Sequence, residues 1–458
     1  MAVWSHVNLS ELEYYRVDSD FYHSKYLGEL EFWRRVNDQI AVSKLGRLIR
    51  QPVRTGRTPK NRLLREGEAS FRFIKTDTVR AGKIDFLNSE VLPARAVCDR
   101  YVIPAGSLVI TIIGATPEIV GRTAIVRSDD PACVTNQNVA VVSTKENFDP
   151  FFLTAYFQTH WGRDQIWRHS RRTEQVNLNC REVERILVPL AESSVQSVIG
   201  NLVTSSLSAA DLSRELHHQA EDIINSELAF NKEAFEKPLG YQSSFSALET
   251  CRRFDSEHYY PAFKAFQESL HASIALEPLS KHLTFCQRGK QPIYASTGLP
   301  VINSKHVQPN RVLLDGNRSA LPNPEANLQI RHGDTLLNGT GRGTLGRAAP
   351  CLSDSLAVPE NHVTILRSGD LDPVYLSLYL NSAAGQMQVE MRQRGTSGQL
   401  ELYPFDVRKF LIWPAPESFQ RELRDLHEQA AAAERESKRL LEQAKTRVEQ
   451  LIEEAAGG

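Results

Sequence analysis

Phe419, Leu423, Leu426, Ala430, Ala433, Ser437, Leu440 and Ala444 follow one another at spacings of 4, 3, 4, 3, 4, 3 and 4. An apolar or small residue every 3.5 positions is the pattern of a helix that buries a narrow seam against another helix. The stretch starts after Pro416 and predicts one helix of about 40 residues, roughly 55 to 60 Å long at about 1.5 Å per residue. A second run matches it. Residues 193 to 230 contain no proline, and Val195, Ile199, Leu202, Ala209, Leu216, Ala220 and Ile223 are spaced 4, 3, 7, 7, 4 and 3. Two such helices in one chain can cover each other's seams, and one helix after each globular stretch predicts an antiparallel coiled coil. The other reading, in which each helix packs on its own domain, stays open at this point.

The two helices belong to a larger duplication. Arg16-Val17-Asp18-Ser19-Asp20-Phe21-Tyr22 is matched by Arg253-Phe254-Asp255-Ser256-Glu257-His258-Tyr259, an offset of 253 − 16 = 237. Phe73-Ile74-Lys75-Thr76-Asp77-Thr78-Val79 is matched by Val301-Ile302-Asn303-Ser304-Lys305-His306-Val307 at 301 − 73 = 228. Gly114 and Gly121-Arg122 pair with Gly339 and Gly346-Arg347, Asp149-Pro150 with Asp372-Pro373, Val188-Pro189 with Trp413-Pro414, and Gln196 with Gln420. The order never changes and the offset drifts slowly. A unit of about 225 residues is far too long for a solenoid repeat, so each copy holds at least one whole domain.

Within each copy, short apolar runs precede the helix. Ser107-Leu108-Val109-Ile110-Thr111-Ile112-Ile113 and Asn138-Val139-Ala140-Val141-Val142 read as buried strands, and His362-Val363-Thr364-Ile365-Leu366 repeats the second. Asp149-Pro150 and Asp372-Pro373 read as helix starts, with Asp as cap and Pro in the first turn. The fold class is therefore α+β: two tandem domains, each a mixed sheet with helices, each followed by a long helix. The boundaries are drawn at 1–191 and 241–415 for the domains, and at 192–240 and 416–458 for the helices.

Bulk properties exclude several classes. The hydrophobic fraction is 41% and the charged fraction 24%, as in a globular protein. No apolar run approaches the roughly 20 residues of a membrane span, and Met1-Ala2-Val3-Trp4-Ser5-His6 shows no basic start followed by an apolar stretch, so no membrane and no secretory signal are expected. The six cysteines are scattered without a C-x-x-C pair, which predicts reduced thiols in the cytoplasm and no zinc site. Net charge is −1, yet between Lys44 and Lys83 twelve Lys/Arg face three acids, and between Glu192 and Phe230 six acids face Arg214. Basic lobes and acidic connectors are compatible with a polyanionic partner, because phosphate contacts follow the local field.

The order of domain, long helix, domain, long helix resembles the DNA specificity (S) subunit of type I restriction-modification systems. The local pattern agrees: Gly398-Gln399 with Leu402, then Leu411-Ile412-Trp413-Pro414, then Gln420; in the first half Gln175 and Leu178, then Ile186-Leu187-Val188-Pro189, then Gln196. Glu174 stands where the family has glycine. The resemblance covers nearly the whole chain. It implies two target-recognition domains, each reading half of a split DNA site, and two spacer helices that set the distance between halves. It also implies docking of two methyltransferase subunits, with restriction-motor subunits joining that core in defence against foreign DNA. Half-sites about 34 Å apart suit such a ruler. The halves have diverged, so the resemblance implies an asymmetric site.

Readout of bases needs Arg, Lys, Asn, Gln or hydroxyl side chains in the groove. The candidates are Lys75, Thr76 and Thr78 with their counterparts Asn303, Ser304 and Lys305, which also read as solvated loops. Arg54, Arg57 and Lys60 sit in a Gly/Pro-containing loop suited to phosphate. Arg122 and Arg347 read either as phosphate contacts or as structural ion pairs. Arg171 and Arg172 have as their counterparts Arg392, Arg394, Thr396 and Gln399, in a second pair of basic loops near which DNA is expected. Enzyme motifs are missing: Asn338-Gly339-Thr340-Gly341-Arg342-Gly343-Thr344-Leu345-Gly346 lacks the Gly-Lys-[Ser/Thr] ending of a phosphate loop, and neither Asp-Pro motif has the second proline of an amino-methyltransferase. No catalysis, cofactor or metal is expected. A duplicated coiled-coil scaffold that binds proteins without reading DNA is the alternative.

Overall fold

Aspartate followed by proline starts a helix twice. Asp149 Oδ1 accepts from the backbone N–H groups of Phe151 (2.7 Å) and Phe152 (3.3 Å) at the head of helix Pro150–Gln158. Asp372 accepts from Val374 (2.8 Å) and Tyr375 (3.4 Å) at the head of Pro373–Asn381. A computed structural model describes residues 5–9, 12–13, 16–116, 118–172, 175–228, 239–251, 253–314, 316–395 and 400–457. The chain divides into two units, Met1–Asp211 with Ala433–Gly458, and Leu212–Ala432. Each takes part of both long helices, Ser193–Glu227 and Glu417–Ala455.

The first unit has an antiparallel four-stranded sheet in the order Arg54–Thr55, Val139–Ser143, Ser107–Thr111, Thr123–Ile125. Its inner strands are buried along their whole length and apolar at their centres, because both faces are covered. Ala140 and Val142 join a core with Leu108, Phe152 and Tyr156; Val139 and Val141 join another with Ile74 and Val109. A smaller sheet sets Ser70–Ile74 between Glu90–Pro93 and, in parallel, Cys133–Thr135. The second unit repeats this order with Leu283–Arg288, Val363–Ser368, Asp334–Asn338 and Ala348–Pro350, and again has one parallel pair, Leu299–Ile302 with Val358–Pro359. Even the register is shared. Ser107 lies opposite Ser143 with their hydroxyls 2.8 Å apart, and Asp334 lies opposite Arg367 in a buried pair at 2.7 Å.

The first duplicated motif is a clamp. Arg16 is 2% exposed; it pairs with Asp18 at 2.6 Å and donates to the carbonyls of His169 (2.7 Å) and Ser170 (3.3 Å), the end of helix His160–His169. Arg253 pairs with Asp255 at 2.9 Å and donates to Arg392 O (3.1 Å) and Gln393 O (2.6 Å), the end of helix Ala383–Arg392. A guanidinium at a helix C-terminus satisfies carbonyls left without intrahelical partners and meets the negative end of the dipole. Tyr22 and Tyr259 donate to the carbonyl of their own arginine at 3.0 and 2.7 Å.

A glutamine joins each domain to its long helix. Gln196 Oε1 accepts from Asp149 N (2.9 Å) and its Nε2 donates to Ala191 O (2.8 Å). Gln420 does the same with Asp372 N (2.7 Å) and Ala415 O (2.8 Å). One turn further the units differ: Arg424 pairs with Asp372, whereas Gly200 stands so close to Asp149 that a Cβ there would lie 2.4 Å from Oδ2.

The helix seam is partly displaced from the apolar count. In the first unit Ile199, Val203 and Leu207 share a core with Ala444, Val448 and Ile452, and Ser206 Oγ donates to Ser437 O at 2.7 Å. In the second, Ala220 and Ile224 share a core with Leu423, and the rings of His217 and His427 lie 5.7 Å apart. Val203, Ser206, Ser213, Ile224 and His427 are buried, while Leu202, Ile223 and Leu426 are only partly so. Small or polar residues hold seam positions that an apolar count passes over.

Helix Ser24–Gln39 carries a buried acid. Glu29 is 9% exposed, and burial, reinforced by Asp164, pushes its carboxyl up to about 7 against the pull of Lys25, Arg168 and His160. At the offset of 237 that relates Arg16 to Arg253, the second unit has Phe266, fully buried. Asp164 and Arg168 correspond at 387 − 164 = 223 to Met387 and Met391, both buried. A carboxyl that holds its proton more tightly in the folded than in the unfolded chain makes stability fall as pH rises from about 4.5 towards about 7. Glu29→Gln is expected to raise stability above pH 7 by on the order of 2–3 kcal/mol and to flatten that slope. Denaturant unfolding at several pH values checks it; parallel pH profiles for the two proteins would refute it.

Candidate nucleic-acid interface

The loop after strand Arg54–Thr55 is pressed onto its neighbour. A Cβ on Gly56 would lie 1.8 Å from Thr135 O, so only glycine fits. Arg54 is committed inward, donating to Arg100 O (2.6 Å) and Val102 O (3.1 Å). Arg57 and Lys60 are exposed and make no ion pair among the described residues. The second unit has the same loop at 289 − 56 = 233, Gly289-Lys290-Gln291-Pro292 against Gly56-Arg57-Thr58-Pro59. A Cβ on Gly289 would lie 2.5 Å from Glu360 O, and Lys290 pairs with Glu325. This pairing was available in the sequence, since 233 falls between the offsets of 237 and 228 that flank it.

The paired turns after the early strands are closed in the same way. Thr78 Oγ1 accepts from Lys75 N at 3.0 Å, and His306 Nδ1 accepts from Asn303 N at 3.1 Å. Thr78 is buried within this closure and also donates to Lys75 O at 2.9 Å. Lys75 Nζ lies 3.5 Å from Glu90, Thr76 and Ser304 are half-buried, and Lys305 is exposed. Asn303 Oδ1 accepts from Lys305 N at 3.2 Å. Asn338, at the head of the glycine-rich loop, donates to Ser304 O (2.9 Å) and Val307 O (3.2 Å), so that loop braces the turn.

Arg122 donates from Nε to Glu118 O at 2.8 Å. Burial and the neighbouring cations Arg80 and Arg163 lower its pKa, while Glu118 is held as a carboxylate by Thr116, Arg163 and Arg122. The equivalent positions of the second unit, at offsets 228, 225 and 223, are Gln308, Arg347 and Gln386. Arg347 donates to Gln308 Oε1 at 3.2 Å, and Gln386 donates to Gly346 O at 3.0 Å. One unit thus gathers three arginines where the other has two neutral amides and one arginine. Arg80 and Arg163 were not singled out by sequence reading, because only Arg122 follows a paired glycine.

The second pair of basic loops is largely occupied. Arg171 Nε meets Glu182 at 3.1 Å, and Arg394 makes a two-pronged pair with Asp406 at 2.9 and 3.2 Å. These are equivalent contacts at 394 − 171 = 223 and 406 − 182 = 224. Arg172 lies over the Trp167 ring at 5.0 Å and donates to Tyr26 at 3.0 Å. Arg392 donates to Lys409 O at 3.1 Å. Thr396 and Gln399 lie outside the described residues. Among the described residues no group of three His, Cys, Asp or Glu is placed to hold a metal ion, and no helix is long and apolar enough to cross a membrane.

The cations therefore fall into two kinds, and stability separates them. Arg394→Ala leaves Asp406, 4% exposed, buried without its cation. The expected loss is about 2 kcal/mol, discounted from the range for wholly buried pairs because Arg394 is partly open to solvent. Lys305→Ala is expected to stay within about 0.5 kcal/mol of the parent. Thermal unfolding of both variants checks this, and equal losses would refute it.

No protein-family model matches the chain, and no curated protein matches it in sequence. Among solved structures it is similar to the S subunit of a type I restriction-modification system from M. genitalium, at 12% identity and a TM-score of 0.43, over 91% of this chain and 97% of that one. It is also similar to the HsdS subunit from Thermoanaerobacter tengcongensis, at 15% identity and a TM-score of 0.31, over 90% of this chain and 96% of that one. A third similar chain, from a study of complex assembly and conformational transition in the type I R-M system, has 15% identity and a TM-score of 0.31, over 91% and 97%.

Proposed function

We propose that the chain is a DNA specificity subunit of a type I restriction-modification complex: it reads a split, asymmetric DNA site and scaffolds the subunits that act on it. The carrying observation is the duplicated domain, in which clamp, sheet order and helix junction repeat while the exposed turns and cation clusters differ. Repetition of the frame with divergence of the surface suits two readers of two different half-sites. In the first unit, Arg57, Lys60, Lys75 and Thr76 would face DNA with the cluster around Arg122; in the second, Asn303, Ser304, Lys305 and Arg347 would do so. Thr78, Arg54, Arg171 and Arg394 serve mainly to hold the frame. Thr396 and Gln399 keep their assignment from sequence, and Arg172 and Arg392 border the same loops.

The two long helices would pair as an antiparallel coiled coil. In the first unit, residues 194–199 lie against 447–454 and Ser206 against Ser437; in the second, His217 neighbours His427 and Ile223 lies beside 418–426. In both, rising numbers on one helix meet falling numbers on the other. Two methyltransferase subunits would dock along this spacer, with restriction-motor subunits joining them in the cytoplasm. The chain itself would bind double-stranded DNA and carry out no chemistry.

The test is to co-express the chain with its neighbouring methyltransferase and to map methylated bases across the genome by long-read sequencing. A split, asymmetric motif that vanishes on deletion of this chain is expected, and exchange of residues 241–415 is expected to change one half of that motif only. Methylation that survives deletion would overturn the reading and favour a protein-binding scaffold.

A further inference from the structure

A cavity of about 200 Å³ opens in the first unit beside the Gly56–Lys60 loop, lined by Pro59, Val97, Tyr101 and Val134 as well as Arg57 and Lys60. It is smaller than the roughly 300–1,000 Å³ clefts that take drug-sized ligands, and its size suits one planar ring system. Its walls are built rather than incidental. Gly56 fixes the loop against Thr135, Arg54 anchors the opposite wall through the carbonyls of Arg100 and Val102, and Thr58 is tied to Gln137 at 2.7 Å. Beneath lies a small apolar cluster of Phe73, Leu92 and Val134 against which Val97 and Tyr101 pack.

We propose that this cavity binds a single nucleotide whose base is free of any stack. The ring lies against Tyr101 and the apolar floor, and its phosphate meets Arg57 and Lys60. An aromatic wall accepts any base by its π-face, and two exposed cations without acid partners among the described residues supply the charge for one phosphate. Among the described residues the equivalent loop of the second unit lacks this pair of cations: Lys290 is paired with Glu325, and Ile293 stands where Lys60 does at the offset of 233. Where the nucleotide belongs to a bound duplex, the inference rests on the DNA-reading function, and the base must leave the stack to enter.

The test uses the full chain and 2-aminopurine ribonucleoside 5′-monophosphate, followed by fluorescence. Saturable quenching is expected. Tyr101→Ala and the double variant Arg57→Ala/Lys60→Ala are each expected to weaken it about tenfold, the size of one lost stack or charge-assisted contact, while Tyr101→Phe retains binding. Thermal unfolding confirms that each variant is folded. Absence of saturable quenching, equal affinity in parent and variants, or equal affinity for the unphosphorylated nucleoside overturns the proposal, as does a site that inorganic phosphate fills equally well. A duplex carrying 2-aminopurine identifies the source: brightening on binding assigns the nucleotide to the duplex, and its absence alongside mononucleotide binding assigns it to a free nucleotide. Methylation mapping is independent of these readouts. A motif that tracks this chain without nucleotide binding removes the inference and leaves the specificity role intact.

Discussion

The arrangement depends on one amide at the point where each domain meets its long helix. Gln196 and Gln420 each accept from the backbone of the capping aspartate and donate to the turn that precedes the helix. The glutamine is buried in both units, so it is shielded from competing water and both ends are satisfied. Its effect is angular. A helix of 35 residues is about 50 Å long, and a small rotation at its root moves its far end by several ångströms. In the proposed role of a spacer, such a helix would need this root fixed more than any one contact at its tip.

Upon this shared frame the units have diverged in charge. Buried Phe266, Met387 and Met391 in one stand for Glu29, Asp164 and Arg168 in the other. A facing serine pair in one sheet is an aspartate–arginine pair in the other. The three arginines Arg80, Arg122 and Arg163 of one unit correspond to Gln308, Arg347 and Gln386 in the other. Equivalent backbones thus carry different fields, as the proposed reading of two unlike half-sites would require.

Much of this was legible in the sequence because the frame repeats and repetition suppresses chance matches. The Arg-x-Asp motif, the Asp-Pro caps and the two glutamines each recur in the same order, and each makes the same contacts in both units. Side-chain commitment was not legible. Arg171 and Arg394 look like free cations in basic loops, yet their partners Glu182 and Asp406 lie 11 and 12 residues on, beyond any local pairing rule. Thr78 has the chemistry of a base-reading hydroxyl but is buried closing its own turn. The seam was read one position off in places because Ser206, Ser213 and His427 are buried without being apolar.

The two helix roots also differ in what reaches them. Arg424 gives the second root an ion pair on a partly exposed side chain, and mobile ions screen such a pair over a distance of about 10 Å at 0.1 M. The first root has Gly200 in that place, packed against the equivalent aspartate, Asp149, which makes no ion pair among the described residues. Ionic strength therefore slackens one lever and leaves the other as it was. If the long helices act as the proposed spacer, its compliance would change at one root and not at the other as ion content changes, and tolerance for a stretched or compressed target would be set at the second domain.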